Sequence, residues 1–399
     1  MSLEINLIAT LIITLCVLMT GRALIARVGV LQRYSIPEPV VGGLLAATII
    51  TVARVAFDVQ VSFDMSFQST FMLAFFASVG LSADLKLLIR GGRVVVIFLA
   101  VVLGLLVLQN AIGLSAAWAM DMHPLTGLLA GSITMYGGHG TGAAYAGRFA
   151  DVENLQGAME LAMACATFGL VLGGLIGGPL AQRLITRHGL KPAAATNAAA
   201  HAEGETPGGL DQSSFLSTLL MLLLCVVAGS WLAEVAHNEV FTLPAFVWTL
   251  FCGVFVRNAL GLGLKVRVND TAVSVLGGVS LSLFLTMALI GLRLWELVSL
   301  ALPILAILVT QTVVALLYVT FVTFRVMGRD YDAAVICAGH CGFAMGATPT
   351  AIANMQAITA KYGPSPQAFL VIPIVGAFLL DICNALVIQM LLATPIFGF

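Results

Sequence analysis

What constrains this chain most is a recurrence of apolar stretches that, with their flanks, are long enough to cross a bilayer. They run over 5–20, 40–51, 67–82, 94–120, 161–184, 215–235, 240–256, 272–291, 297–324 and 368–392. A hydrocarbon core of about 30 Å takes roughly 20 helical residues. Ten such stretches therefore predict an all-α polytopic membrane protein. Composition agrees: 60% of residues are apolar and only 9% charged, far below the ~25% charged share that covers a soluble surface. A soluble enzyme, a nucleic-acid binder and a disulfide scaffold are excluded, and 18 Lys+Arg against 19 Asp+Glu leave no basic stripe for a polyanion. The start, Met1-Ser2-Leu3-Glu4, has no basic region ahead of its apolar run, so the first stretch is expected to be a retained span.

Two more stretches, 125–150 and 332–360, are as apolar as spans but are interrupted by glycine-rich segments that a lipid-facing helix would not choose. Both are expected to be re-entrant hairpins. The polar, Ala/Gly/Pro-rich segment 185–214 reads as a cytoplasmic linker between an N-terminal half, 1–184, and a C-terminal half, 215–399. Cytoplasmic loops carry an excess of Lys and Arg. With the N-terminus outside, those loops hold Arg22, Arg27, Arg33, Lys86, Arg90, Arg93, Arg183, Arg187, Lys191, Arg257, Lys265, Arg267, Arg325, Arg329 and Lys361. Only Arg54, Arg293 and Arg148 fall on the other side. An even count of ten spans then places both termini in the periplasm.

Five spans per half is an odd number, so the second half enters the membrane upside down, the inverted-repeat plan of secondary transporters. Short matches fall in step: Gln109 with Gln311, and Gly138-His-Gly-Thr-Gly142-Ala143 with Gly342-Phe-Ala-Met-Gly346-Ala347. Broken helices at corresponding places in two inverted halves point to a midplane site at their meeting tips.

In the first hairpin, Ser132, Thr134, Gly137, Gly138, His139, Gly140, Thr141 and Gly142 gather small residues and hydroxyls in a buried stretch. Backbone N–H groups freed there cost several kcal/mol each unless satisfied. A substrate carboxylate at the N-terminal end of a half-helix satisfies them; close helix packing through glycine is the alternative. His139 offers either a titrating ring or a hydrogen bond to nearby backbone.

The second hairpin sets Thr348, Thr350, Asn354 and Gln356 around Pro349, beside Gly342 and Gly346. Hydroxyl, amide and carbonyl oxygens make a hard site suited to sodium, or else polar glue between helices. Asp381 lies roughly 20 Å into the last stretch, at about 1.5 Å per residue, with Asn384 on the same face. A carboxylate at that depth calls for an ion or a substrate ammonium. Glu160 could serve similarly or sit at the interface. Cys337, His340 and Cys341 share a helical face but lack a fourth ligand nearby, and no nucleophile–base–carboxylate set appears, so neither a metal cofactor nor an enzyme is expected.

At these hairpins the chain closely resembles the bacterial glutamate:sodium symporter family. Further shared segments are Ile36-Pro-Glu-Pro-Val, Gly91-Gly-Arg-Val, Gln109-Asn-Ala-Ile-Gly, Leu128-Leu-Ala-Gly-Ser-Ile-Thr, Glu160 with the run from Ala162 to Pro179, Ser274-Val-Leu-Gly and the run from Ala347 to Thr359. The resemblance implies sodium-coupled, electrogenic uptake of L-glutamate across the inner membrane, with sodium as the coupling ion and no organic cofactor. Related 2-hydroxycarboxylate transporters imply a homodimer, embedded in lipid, that works by an elevator motion. Tyr136 departs from the small hydroxyl residue found in the family. The rival reading is a sodium/proton antiporter, or a carrier of another small carboxylate.

Overall fold

The computed structural model describes residues 2–29, 31, 37–153, 155–192, 211–236, 244–263, 268–291 and 301–394. The middle of the expected linker, 193–210, the starts of the stretches at 240 and 297, and Arg33, Lys265, Arg267 and Arg293 of the charge argument lie outside the described residues.

The helices are α1 (Leu7–Arg27), α2 (Glu38–Phe57), α3 (Gln68–Leu81), α4 (Leu85–Ala119), α5 (Pro124–Leu128), α6 (Gly138–Glu153), α7 (Ala158–His188), α8 (Gln212–Val235), α9 (Ala245–Gly263), α10 (Asp270–Ile290), α11 (Ala301–Tyr318), α12 (Tyr331–Ala344), α13 (Thr348–Tyr362), α14 (Pro366–Ile374) and α15 (Leu380–Leu392). Wider π turns extend α5 through Leu129–Ile133, extend α11 through Val319–Thr323, and join α14 to α15 through Val375–Leu379.

Helix starts follow local chemistry. Asn6, Asp211, Asn269 and Asp330 each accept a hydrogen bond from a backbone N–H in the first turn of α1, α8, α10 and α12, satisfying donors that helix geometry leaves unpaired. The fold is not wholly helical. Ser2–Ile5 (β1) pairs in parallel with Gln60–Phe63 (β2), Ser2 opposite Gln60. The pairing ties the start of α1 to the end of α2, so these two helices run antiparallel and their far ends share one side.

Among the described residues seven helical segments are long and apolar enough to span a bilayer: α1, α2, Gly92–Ala119 of α4, α7, α8, α10 and Leu302–Val326. The chain is therefore a polytopic membrane protein. The other three expected stretches fall on shorter pieces. α3 has 14 residues, a rise of about 21 Å; α9 is the second; in 366–392, Pro373 withholds a backbone N–H just ahead of a π turn.

Packing sorts the helices into two groups, each drawn from both halves of the chain. α1, α2 and α3 pack with α8, α9 and α10, while α4 to α7 pack with α11 to α15. The first group closes tightly: a Cβ on Gly80 of α3 would stand 2.9 Å from the Cα of Gly253 on α9, the close backbone approach that small residues permit in lipid. Ala74, Ala77, Leu81, Leu222, Cys225 and Val273 form its apolar centre. Each half of the chain gives three helices to the first group and the remainder to the second.

Candidate functional site

Both glycine-rich segments are helix–break–helix units. In the first, Gly131 leaves helical geometry (φ −95°, ψ −141°), and α6 begins at Gly138, which has φ +60°. L-residues adopt that left-handed conformation at a cost of roughly 1–2 kcal/mol, which explains glycine there. In the second, the chain opens after α12 and α13 starts from extended Ala347 without a side-chain cap. The two breaks touch: a Cβ on Gly138 would lie 3.3 Å from the carbonyl oxygen of Gly346.

Where they meet lies a cavity of about 450 Å³ between the two helix groups, within the usual ~300–1,000 Å³ of small-molecule sites. One wall is Gly137, Gly138, His139, Gly140 and Thr141 of the first break, Gly346, Thr348 and Thr350 of the second, Gly376 of the π turn between α14 and α15, and Asp381 in the first turn of α15. The facing wall is mainly apolar: Pro37, Pro39, Phe75, Val79, Leu281 and Leu285, with Ser282. The N-terminal ends of α6 and α13 thus open onto one chamber, where free N–H groups and both helix dipoles favour an anion.

Oxygen-bearing side chains share the chamber. No hydrogen bond or ion pair to the Asp381 carboxylate occurs among the described residues, and it lines the cavity. Thr350 is buried and its hydroxyl oxygen has no partner among the described residues. Thr348 donates its hydroxyl to the Gly376 carbonyl at 2.8 Å, tying α13 to the π turn before Asp381. His139 is buried with Nε2 3.0 Å from the Thr167 hydroxyl, so it bonds a side chain of α7 and not the nearby backbone. Oxygen donors near an unpaired carboxylate suit a sodium ion.

The remaining expected site residues do not line the cavity. Ser132 is clamped by two asparagines: its N–H donates to Asn110 Oδ1 at 3.0 Å, and its hydroxyl accepts from Asn110 Nδ2 at 2.8 Å and donates to Asn384 Oδ1 at 2.6 Å. Thr134 donates to the Leu129 carbonyl at 2.6 Å. Asn354 donates to the Gly173 carbonyl at 2.8 Å, Gln356 is exposed, and Glu160 is buried in the first turn of α7. Gly142 packs on Thr134 and Ala162, and Gly342 on the α13 backbone at Ala351, where a Cβ would meet N at 2.6 Å. His340 has both ring nitrogens engaged, Nε2 with the Tyr136 hydroxyl at 2.9 Å and Nδ1 with Thr323 at 3.0 Å.

Sequence reasoning missed Gly376 and most of the apolar wall. Only Pro37 and Pro39 carried a signal, in the Ile36-Pro-Glu-Pro-Val segment. A polytopic membrane protein whose broken helices enclose an anion-favouring, carboxylate-bearing chamber has the build of a secondary transporter. A profile described as sodium/glutamate symporter matches residues 3–364. The chain is 52% identical to the sodium/glutamate symporter of Escherichia coli (strain K12) over 99% of both chains. It is 45% identical to that of Haemophilus influenzae (strain ATCC 51907 / DSM 11121 / KW20 / Rd) over 98% of both. The chain belongs to the sodium/glutamate symporter family.

Proposed function

We propose that this protein takes up L-glutamate together with sodium across the bacterial inner membrane. The observation that carries the reading is the chamber itself: two helix N-termini, the Asp381 carboxylate and the unpaired Thr350 hydroxyl converge on one cavity. Gly138 and Gly140 present N–H groups and Thr141 its hydroxyl to the substrate carboxylates, with His139 supporting the turn and Gly137, whose N–H is held by the Ser132 carbonyl, lining the opening. Asp381, Thr350 and Thr348 serve sodium and the substrate ammonium, and Asn384, Asn354 and Gln356 act from the surrounding frame.

Coupling follows from charge. An empty chamber holds the Asp381 carboxylate, which repels a substrate of net charge −1; sodium bound first removes that repulsion, and glutamate in turn holds sodium. Because the substrate carries one net negative charge, inward movement of positive charge requires at least two sodium ions per cycle. The transport step is an elevator-type motion, in which α4 to α7 and α11 to α15 carry the chamber past α1 to α3 and α8 to α10. Its support is the mainly apolar facing wall, which has few directional bonds to break as it slides. Two inverted five-span halves with re-entrant hairpins, periplasmic termini and a homodimer complete the arrangement. Those rest on the charge asymmetry, the internal matches and the family resemblance.

The test is uptake of labelled L-glutamate into liposomes holding the purified protein, with and without an inward sodium gradient and an inside-negative potential. Uptake that needs sodium and rises with the potential is expected. Asp381→Asn should abolish the sodium dependence while leaving expression unchanged. Sodium-driven proton movement without any organic solute would instead establish the antiporter reading.

A further inference from the structure

A second cavity, larger than the first at about 710 Å³, lies between the C-terminal part of α7 and the end of α11 with its π turn. Its floor is apolar, built from Leu180, Leu184, Leu316, Leu317, Phe321 and Phe324, and its rim carries Arg183 and Arg187 on one side and Arg325 and Arg329 on the other. The charge asymmetry puts this rim on the cytoplasmic side, where single arginines are ordinary. Four on one apolar cleft are not.

None of the four forms an ion pair among the described residues. The nearby acids are engaged elsewhere: Asp330 caps α12 through the Ala333 N–H at 2.8 Å, and Asp332 accepts from the Ser365 hydroxyl. Arg325 lies over the Phe321 ring, 5.5 Å from its centroid. Arg329 holds a left-handed backbone at φ +58°, uncommon for a residue with a side chain, and still lines the cavity. The site therefore offers an uncompensated cationic rim above a slot with no polar use.

We propose that this cleft binds an anionic glycerophospholipid, with its phosphate among Arg183, Arg187, Arg325 and Arg329 and an acyl chain along the apolar floor. Basic pockets between spans on the cytoplasmic side suit such headgroups, and guanidinium pairs match phosphate geometry. A free phosphate would leave the floor uncovered, and a zwitterionic lipid would leave the rim charge unbalanced. Bound lipid fastens the end of α7, whose middle reaches the substrate chamber at Leu170, to α11.

The test is native mass spectrometry of the delipidated full-length protein, titrated with dioleoylphosphatidylglycerol, with the matching phosphatidylethanolamine, and with inorganic phosphate as competitor. Phosphatidylglycerol should form a discrete adduct that the ethanolamine lipid does not match and that millimolar phosphate does not displace. Each of Arg187→Gln and Arg325→Gln should weaken it about fivefold, the equivalent of about 1 kcal/mol per arginine; the Arg187→Lys/Arg325→Lys pair should retain most of it. All these side chains are exposed, so the single variants are expected to fold, which circular dichroism checks. Equal adducts with both lipids, indifference to the arginine substitutions, or displacement by phosphate would each overturn the proposal.

Discussion

Asn384 distinguishes a framework residue from an ion ligand. It lies one turn beyond Asp381 on α15, yet its amide faces away from the chamber and holds Ser132 from both directions, accepting from the hydroxyl at 2.6 Å and donating to the carbonyl at 3.0 Å. Both residues are 1% exposed or less. Asn384→Ala removes two interhelical bonds. In lipid such bonds are worth about 0.6–1.7 kcal/mol each, so the loss should be about 1–3 kcal/mol. The lower half of that range is favoured, because the Ser132 carbonyl still accepts from the N–H groups of Tyr136 and Gly137 at 3.1 and 3.2 Å. Only the hydroxyl proton is stranded. Ser132→Ala should cost about 1 kcal/mol, and a double-mutant cycle should show coupling of at least ~0.6 kcal/mol between the two. The assay is unfolding of the purified protein in mixed micelles, run alongside glutamate uptake across a range of sodium concentrations. A loss below ~0.5 kcal/mol, well under one such bond, combined with a tenfold rise in the sodium required, would refute the clamp and place the amide on the ion.

Gly138→Ala should lower uptake at least tenfold, since the left-handed backbone costs roughly 1–2 kcal/mol and the new methyl meets Gly346. Gly147→Ala, with nothing within 4 Å of its Cβ, should transport normally and serves as its control. Thr350→Val removes a buried hydroxyl that has no partner, so thermal stability without ligand should hold or rise by up to about 1 kcal/mol, while the sodium concentration for half-maximal uptake rises. Tyr136 also lines the chamber, so Tyr136→Ser should enlarge it and let a longer dicarboxylic amino acid such as 2-aminoadipate compete with glutamate, read as inhibition of labelled uptake.

Membrane residence, the places of the broken helices and their glycine-driven openings were legible along the chain, because each depends on a local quantity. An apolar run is favoured in lipid residue by residue, a cluster of glycines frees backbone groups where it stands, and arginines near a helix end act within their own loop. Asp381 also announced itself by its depth in an apolar segment. The two short strands did not, since four alternating residues at a terminus and in a loop resemble any loop until a partner lies alongside.

Other outcomes belonged to the tertiary structure alone. Ser132 and Asn384 both looked like site residues because each is a polar group in an apolar run, but polarity says only that a partner is needed, not which one. They bond each other across 252 positions of sequence, and Ser132 also bonds Asn110. Thr350 carries the same kind of side chain as Thr134, yet Thr134 bonds a carbonyl five residues back and Thr350 bonds nothing. Sequence by itself determined that this chain lives in a membrane and breaks two helices inside it. Which hydroxyls and amides satisfy one another, and which are left facing the chamber, was decided by packing, because a hydrogen bond is made or lost over a few tenths of an ångström that no local pattern records.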